Sequence, residues 1–269
     1  MIEMIKAVLL GIIEGITEWL PISSTGHMIL ADEFIKLGKS DAFKEMFLVV
    51  IQLGAIAAVV VLYFSRLNFL SAKKTAAQNK ETFLLWVKVA VASIPAGIVG
   101  FLFDDKIDSL FFNDTTVSIT LILYGVLFIL IEKRNRAKTP KTDRVYQLTY
   151  KAAFIIGMFQ LLALIPGTSR SGATIIGAML IGASRPAAAE FSFFLAIPAM
   201  VIASLYKLLK FGLDFTADEV SVLLIGTITA FVVSLLAIKF LMRYIQKKDF
   251  TAFGYYRIAL GIAVISYFL

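Results

Sequence analysis

The sequence contains no cysteine and a single histidine, His27, in 269 residues. The absence of cysteine excludes disulfide bonds, thiol catalysis and metal sites built from thiolates. One histidine cannot form a metal site that needs two histidine ligands. The chain therefore cannot carry out thiol chemistry.

Charge is also scarce, because only 17% of the residues are Asp, Glu, Lys or Arg, whereas 59% are hydrophobic and the mean hydropathy is +0.86. These values are typical of integral membrane proteins. The formal net charge is +7, but the basic residues cluster between apolar segments and form no arms with interleaved aromatic residues. We interpret them as topology signals and expect no binding of nucleic acid.

Six apolar runs are long enough to cross a hydrocarbon core of about 30 Å. They are residues 47–64, 82–103, 116–131, 188–209, 220–241 and 253–269. Two further regions, 1–30 and 152–182, are each interrupted by a proline, Pro21 or Pro166, with polar neighbours. Their arms are mostly too short to span a bilayer at 1.5 Å per residue. The sequence thus predicts an all-α polytopic membrane protein with six transmembrane helices and two re-entrant helix hairpins.

The distribution of charge predicts the orientation of these segments. Three connections are basic and are expected on the cytoplasmic side by the positive-inside rule: Arg66, Lys73, Lys74 and Lys80; Lys133, Arg134, Arg136, Lys138, Lys141 and Arg144; and Arg243, Lys247 and Lys248. Two connections are acidic and fit the outer side: Asp104, Asp105, Asp108 and Asp114; and Asp214, Asp218 and Glu219. On this assignment the first hairpin enters from outside and the second from inside.

The two halves are therefore expected to be oppositely oriented copies of one plan, a hairpin followed by three spans. This inverted repeat covers approximately 1–132 and 152–269 of a single membrane domain, joined by a basic cytoplasmic loop, 133–151. Matches at a constant offset of 146 support it: Gly11, Glu14, Ser23, Thr25 and Gly26 correspond to Gly157, Gln160, Ser169, Ser171 and Gly172. Inverted repeats of this kind build a central site from broken helices.

The polar residues at the two breaks are the candidate functional residues. Non-helical backbone at membrane depth occurs where it is buried or lines a cavity, so the two breaks are expected to face each other. Hydroxyl residues then stand at two helix N-termini, which favour anions and phosphate in particular: Ser23, Ser24 and Thr25; and Thr168, Ser169 and Ser171. Arg170 in the second break needs an anion nearby, either a permanent partner, Glu14 or Glu18, or a ligand phosphate.

Glu14 and Glu18 are spaced i,i+4, so both carboxylates project from one helical face. A hard cation such as Mg²⁺ or Ca²⁺ would relieve their repulsion, and the alternative is that one glutamate is protonated and acts as acid or base. His27 could deprotonate Ser24, accept a phosphoryl group or protonate a leaving oxygen. The sequence alone does not distinguish between these roles.

Other polar residues in the apolar segments are interpreted as structural. They are Gln52, Lys88, Ser93, Glu190, Ser192 and Lys207. Small residues in 54–58 and 92–97 indicate close helix packing.

The runs EGITEWLPISSTGH, residues 14–27, and PGTSRSGAT, residues 166–174, resemble the two signatures of the bacterial undecaprenyl pyrophosphate phosphatases of the bacitracin-resistance type. The resemblance includes Gln52-Leu53-Gly54 and extends over essentially the whole chain. It implies six spans with two re-entrant helix pairs in the bacterial inner membrane. It also implies hydrolysis of undecaprenyl pyrophosphate to undecaprenyl phosphate and inorganic phosphate, which regenerates the lipid carrier of cell-wall glycan synthesis.

Residue by residue, the resemblance implies that Glu14 and Glu18 bind the divalent cation or take part in acid–base steps. It places Ser23, Ser24 and His27 at the reacting phosphate, with the pyrophosphate held by a second set: Arg170, Ser169, Ser171 and Thr174. Thr25 is a further candidate for substrate binding. Because inverted repeats with broken helices also occur in transporters, a secondary transporter or lipid flippase is the competing interpretation. The sequence also allows a homodimer.

Overall fold

The computed structural model describes residues 1–212 and 214–268, without the side chains of Asp104, Asp105 and Asp108. The sequence predicts these three in a loop, but their backbone belongs to the helix Ala76–Phe111. The described part of the chain is helical, apart from loops and one isolated bridge between Thr142 and Ala183. Its α-helices are α1 Ile2–Thr17, α2 Ser24–Phe34, α3 Asp41–Val50, α4 Gln52–Leu62, α5 Phe64–Leu67, α6 Ala76–Phe111, α7 Asp114–Asn135, α8 Tyr150–Leu161, α9 Arg170–Leu180, α10 Arg185–Phe211, α11 Ala217–Lys247 and α12 Thr251–Phe268.

Six helical segments within the described residues are long and apolar enough to cross a membrane, which confirms the predicted number. They are Asp41–Leu62, Ala76–Phe103, Asp114–Asn135, Arg185–Phe211, Ala217–Lys247 and Thr251–Phe268. The first begins six residues before the predicted run, because Ser40 caps α3 by accepting a hydrogen bond from the Phe43 amide at 3.2 Å. Polar residues in the first turn of a helix lower the hydropathy there, so hydropathy alone places the boundary too late.

The two proline-containing regions fold as pairs of short helices. The first pair is α1 and α2, separated by residues 18–23, and the second is α8 and α9, separated by residues 162–169. The members have between 11 and 16 residues, whereas a spanning helix needs about 20.

The two helix pairs pack into the molecule in corresponding ways. Helix α1 lies along α11, and α8 lies along α6, while α12 packs against α7 and α4 against α11. Trp19 in the first break is fully buried and meets Phe193 of α10 edge-on, with ring centroids 5.3 Å apart. The first break therefore lies inside the helical bundle, whereas the second is buried only in its later part, residues 166–168.

Close packing between α4 and α11 depends on Gly54, as the small residues of 54–58 predict. A Cβ at this position would stand 2.0 Å from the carbonyl oxygen of Thr227, so the two backbones would have to separate. We expect Gly54→Ala to lower the free energy of unfolding by roughly 1–3 kcal/mol, the usual effect of overpacking. Thermal unfolding of purified protein in detergent measures this.

The matched control is Gly97→Ala in α6, where an added Cβ would meet nothing within 4 Å. This variant should unfold at or slightly above the temperature of the original protein, because alanine favours helix. If both alanine variants lose the same stability, the close approach of α4 and α11 is not what Gly54 serves.

Candidate active site

The two breaks share one local conformation, with a serine just before the second helix of each pair. Ser23 and Ser169 have φ of 74° and 70°, a region that residues other than glycine rarely adopt. Each serine hydroxyl accepts a hydrogen bond from the backbone amide three residues on, at 3.2 Å from Gly26 and 3.1 Å from Gly172. Backbone strain of this kind costs about 1–3 kcal/mol and clusters at functional sites.

The sequence predicts that the two breaks face each other, and in the structure they meet at Glu18. The Nη2 of Arg170 lies 3.1 Å from Oε1 of Glu18, and the hydroxyl of Ser171 donates to the backbone carbonyl of Glu18 at 3.3 Å. Glu18 follows the last turn of α1, whereas Arg170 begins α9. The residues that join the breaks are therefore 152 positions apart in sequence.

Glu18 also contacts a hydroxyl of its own helix pair. Ser24 donates from Oγ to Oε2 of Glu18 at 2.9 Å, so the carboxylate lies between Arg170 and Ser24. Only 6% of Glu18 is exposed. A hydroxyl that donates to a buried carboxylate has a base in place to take its proton.

Arg170 is held by hydrogen bonds that do not use all five of its N–H donors. Its Nη1 donates to the backbone carbonyl of Ser192 at 2.7 Å, while its Nε is buried and has no hydrogen-bond acceptor within the described residues. An arginine fork with a spare donor at a helix N-terminus suits a phosphate oxygen.

These groups lie at the polar part of a cavity of about 770 Å³. Its polar lining consists of Glu18, Ser24, Thr25, Gln52, Ser93, Gln160, Ser169, Arg170, Tyr206 and Lys207, and the rest is small or apolar, from Val49, α6, residues 163–167 and α10. Such a cavity accommodates a molecule with an anionic head and a hydrocarbon tail.

The other predicted site residues in the described part of the chain do not line this cavity. Ser23 is buried as the cap of α2, and Ser171 contacts Glu18 as described. Thr174 donates to the Arg170 carbonyl at 2.9 Å and contacts the hydroxyl of Ser192 at 2.8 Å. These hydroxyls fix the positions of residues that do reach the cavity.

His27 is directed toward α12. Its Nδ1 lies 2.7 Å from the backbone carbonyl of Ser23, and its Nε2 lies 2.7 Å from the hydroxyl of Tyr256. The two rings are nearly parallel, with centroids 5.6 Å apart. Both ring nitrogens are thus engaged outside the cavity.

Glu14 and its counterpart in the second half, Gln160, are buried, and each has an Oε1 with no hydrogen-bond partner in the described residues. Buried polar oxygens normally have a partner, so these atoms suit a further ligand. The described residues hold no group of three or more His, Cys, Asp or Glu side chains that could bind a metal by themselves. Two carboxylates do fit a Mg²⁺ ion whose remaining ligands are water and phosphate oxygens.

Sequence reasoning missed Arg257, whose side chain is fully buried in α12. Its Nη1 donates to the carbonyl of Pro21 in the first break at 3.2 Å, and its Nη2 donates to those of Gly167 at 2.8 Å and Thr168 at 3.0 Å in the second. The guanidinium lies 5.6 Å from the ring centroid of Tyr124. The available signal was an arginine inside an apolar span, which is a functional-site indication by itself.

Ser192 was interpreted as structural, yet it positions Arg170 and Thr174. Gln52, Ser93 and Lys207 line the cavity. Lys88 and Glu190 have structural partners, the Tyr146 carbonyl at 2.8 Å and Arg66 at 2.5 Å.

Comparison with known proteins identifies close relatives. A family model described as bacitracin resistance protein BacA matches residues 7–263. An undecaprenyl-diphosphatase of Acetivibrio thermocellus is 62% identical over 269 residues, which cover 100% of this chain and 99% of that protein. A protein of Clostridium acetobutylicum named undecaprenyl-diphosphatase 1 is 60% identical, with 100% and 98% covered. An undecaprenyl-diphosphatase of Enterococcus faecalis is 61% identical over 267 residues, with 98% and 97% covered.

Proposed function

The chain belongs to the bacitracin resistance protein BacA family, and on that basis we propose that it hydrolyses undecaprenyl pyrophosphate to undecaprenyl phosphate and inorganic phosphate. The names of its relatives support this activity. The reaction recycles the lipid carrier of cell-wall glycan synthesis, and we place it in the bacterial inner membrane. A larger capacity for recycling would confer resistance to bacitracin.

The observation that carries the proposal is the series Arg170, Glu18 and Ser24 across the two breaks, at the polar part of an otherwise apolar cavity. The series offers a cation for phosphate oxygens, a carboxylate base and a hydroxyl nucleophile within hydrogen-bond contact. The apolar lining suits a prenyl chain. A pyrophosphate-bearing lipid matches both parts of the cavity.

In the mechanism we propose, the guanidinium of Arg170, which lines the cavity, binds the terminal phosphate, and the amides at the start of α2 and α9 add further donors. Glu18 takes the proton of Ser24 as Oγ bonds to the terminal phosphorus. The bond from that phosphorus to the bridging oxygen breaks, and undecaprenyl phosphate leaves. Water then hydrolyses the phosphoserine, which releases inorganic phosphate and restores the hydroxyl.

The remaining residues have supporting roles in this proposal. Thr25 and Ser169 line the cavity and can donate to phosphate oxygens, whereas Ser23, Ser171 and Thr174 hold the breaks in shape. We assign His27 to positioning α2 against Tyr256 instead of attack on phosphorus, because both of its nitrogens are engaged.

We propose Glu14 and Glu18 as the protein ligands of a divalent cation, Mg²⁺ or Ca²⁺. The buried Oε1 of Glu14 without a partner in the described residues supports this assignment, as does the position of Glu18 at the end of the same helix, four residues on. When bound together with substrate, such an ion neutralises charge that develops on the phosphate oxygens.

We further propose that α1–α2 and α8–α9 are re-entrant hairpins of an inverted repeat, with the basic loop 133–151 in the cytoplasm. The corresponding packing of α1 on α11 and α8 on α6 supports the repeat, as do the equal caps at Ser23 and Ser169. The shortness of these helices supports the hairpins.

Phosphate release by purified protein from undecaprenyl pyrophosphate tests the function. We expect Glu18→Gln to lower turnover by about 10²- to 10⁴-fold, the usual contribution of a general base, and Ser24→Ala to lower it at least as much. A chelator should inhibit the original protein, and added Mg²⁺ or Ca²⁺ should restore activity.

Glu190→Gln and Ser204→Ala are matched controls, because both residues are buried and hydrogen-bonded but do not line the cavity. They should keep the original turnover number. Near-normal turnover in Ser24→Ala would exclude the serine as nucleophile, and an original protein that releases no phosphate would refute the function itself.

A further inference from the structure

A second cavity, of about 820 Å³, shares no lining residue with the catalytic cavity. Its walls are the end of α7 and the loop after it, the α9–α10 turn and the α11–α12 turn. Helix α9 begins at Arg170 in the catalytic cavity and ends at Leu180 in this one, a distance of roughly 15 Å at 1.5 Å per residue.

The lining of this second cavity is rich in cations, and we call it the basic cavity. It includes Arg134, Arg136, Lys138, Lys141, Arg185, Lys247 and Lys248, against one carboxylate among the described lining residues, Asp249. Arg185 is paired with the buried Glu132 at 2.5 Å. The other six cations are exposed and have no ion-pair partner in the described part of the chain. Like charges brought together around a concavity attract an anion.

The walls are fixed by hydrogen bonds, so the cavity is a built feature and not a chance gathering of surface lysines. Glu132 accepts from Arg185 Nε at 2.8 Å and from the backbone amide of Phe250 at 3.0 Å, which ties α7 to both turns. The amides of Lys141 and Ser184 donate to the carbonyls of Gly182 and Thr142, each at 2.8 Å. The cations are thereby carried on a rigid frame.

The position of the basic cavity indicates the class of anion. It opens where the candidate spans α7 and α11 end and α10 and α12 begin, so in a bilayer it would face the lipid headgroups. Leu180, Ile181 and Tyr244 provide apolar surface beside the cations. Basic pockets between transmembrane helices on the cytoplasmic side are typical binding sites for phosphate-bearing headgroups.

From this arrangement we infer that the basic cavity binds the phosphate headgroup of an anionic phospholipid of the cytoplasmic leaflet. The cations contact the headgroup phosphate, and the apolar wall contacts the glycerol and the first acyl carbons. This site does not depend on the proposed catalytic function, because it lies apart from the residues assigned to hydrolysis.

The test uses the full chain purified in an uncharged detergent. Phosphatidylglycerol, phosphatidylcholine and inorganic phosphate are titrated separately, with retained lipid measured by native mass spectrometry and stability by thermal unfolding. The original protein should retain phosphatidylglycerol in preference to phosphatidylcholine. A double variant, Arg136→Gln with Lys138→Gln, should bind phosphatidylglycerol about tenfold or more weakly, since each basic residue near an anionic surface contributes about 1 kcal/mol.

The matched control removes two exposed basic residues that do not line the cavity, Lys133→Gln with Lys151→Gln. It has the same net charge and should bind like the original protein. Equal loss in both double variants would show only a general attraction to charge and would overturn the site. Equal retention of phosphatidylcholine would overturn the assignment to an anionic lipid, as would full stabilisation by inorganic phosphate without lipid that the double variant Arg136→Gln with Lys138→Gln loses.

Discussion

Replacing Arg170 with glutamine should lower the phosphatase turnover number by about 10²- to 10³-fold, the usual effect of removing one preorganised donor to a developing anion. The residue lines the cavity at the start of α9, next to the carboxylate that contacts Ser24. Arg170→Lys should recover only a small part of the activity, because an ammonium group cannot reproduce a planar fork. Phosphate release at saturating lipid measures this.

The loss of Arg170 also leaves Glu18 buried without its cation. The effect of the substitution on stability must therefore be measured separately from its effect on turnover. Removing one partner of a buried ion pair costs about 3–5 kcal/mol, whereas replacing both with neutral groups is often harmless. The double variant Arg170→Gln with Glu18→Gln should therefore unfold near the original temperature and still be inactive. An active Arg170→Gln protein would refute the assignment, as would a double variant that regains turnover along with stability.

Features that depend on composition and short spacing could be predicted from the sequence. Six spans follow from runs of apolar residues, and the two breaks follow from Pro21 and Pro166 with their polar neighbours. That Arg170 needs an anion nearby could be predicted from the cost of burying an arginine, whereas the choice of Glu18 over Glu14 or a ligand phosphate could not. Each of these inferences rests on the free-energy cost of placing a polar or charged group in a membrane. This cost is high at every position, so it can be judged from the sequence.

Features that depend on distant partners could not be predicted. His27 stands three residues from Ser24 in sequence, but it contacts Tyr256 of α12, and no local pattern indicates which side of α2 the ring takes. Ser192 is one serine in the apolar α10, and its role follows from the crossing of α9 and α10. An arginine in an apolar span marks Arg257 as a candidate, but its acceptors could not be predicted, since they lie in loops up to 236 positions away.

The second large effect is expected at Arg257, where the substitution Arg257→Met should lower both stability and turnover. The substitution keeps a long apolar side chain but leaves carbonyls of Pro21, Gly167 and Thr168 without a donor. An unsatisfied buried polar group costs about 1–3 kcal/mol, so thermal unfolding should occur well below the original temperature. Because one guanidinium joins the two breaks, we also expect the turnover number to fall at least about tenfold, as small misplacements of reacting groups do.

A purely structural role would lower the amount of folded protein without changing turnover per folded molecule. Lys88→Met tests this distinction, because Lys88 is another largely buried cation that donates to a carbonyl, that of Tyr146, away from both breaks. It should lose stability and keep the original turnover number. Arg257→Lys should restore part of the turnover, since an ammonium group can donate to one break while it loses the fork that serves both.

The decisive quantity is the turnover number of folded Arg257→Met, measured at a temperature where both variants are fully folded. A fall in turnover with little change in KM means that Ser24 and Arg170 still admit the substrate but no longer meet at the reacting phosphorus. If Arg257→Met and Lys88→Met lose stability alike and both turn over normally, then Arg257 serves folding alone. In that case the alignment of the two breaks must come from the contact between Arg170 and Glu18 without help from α12.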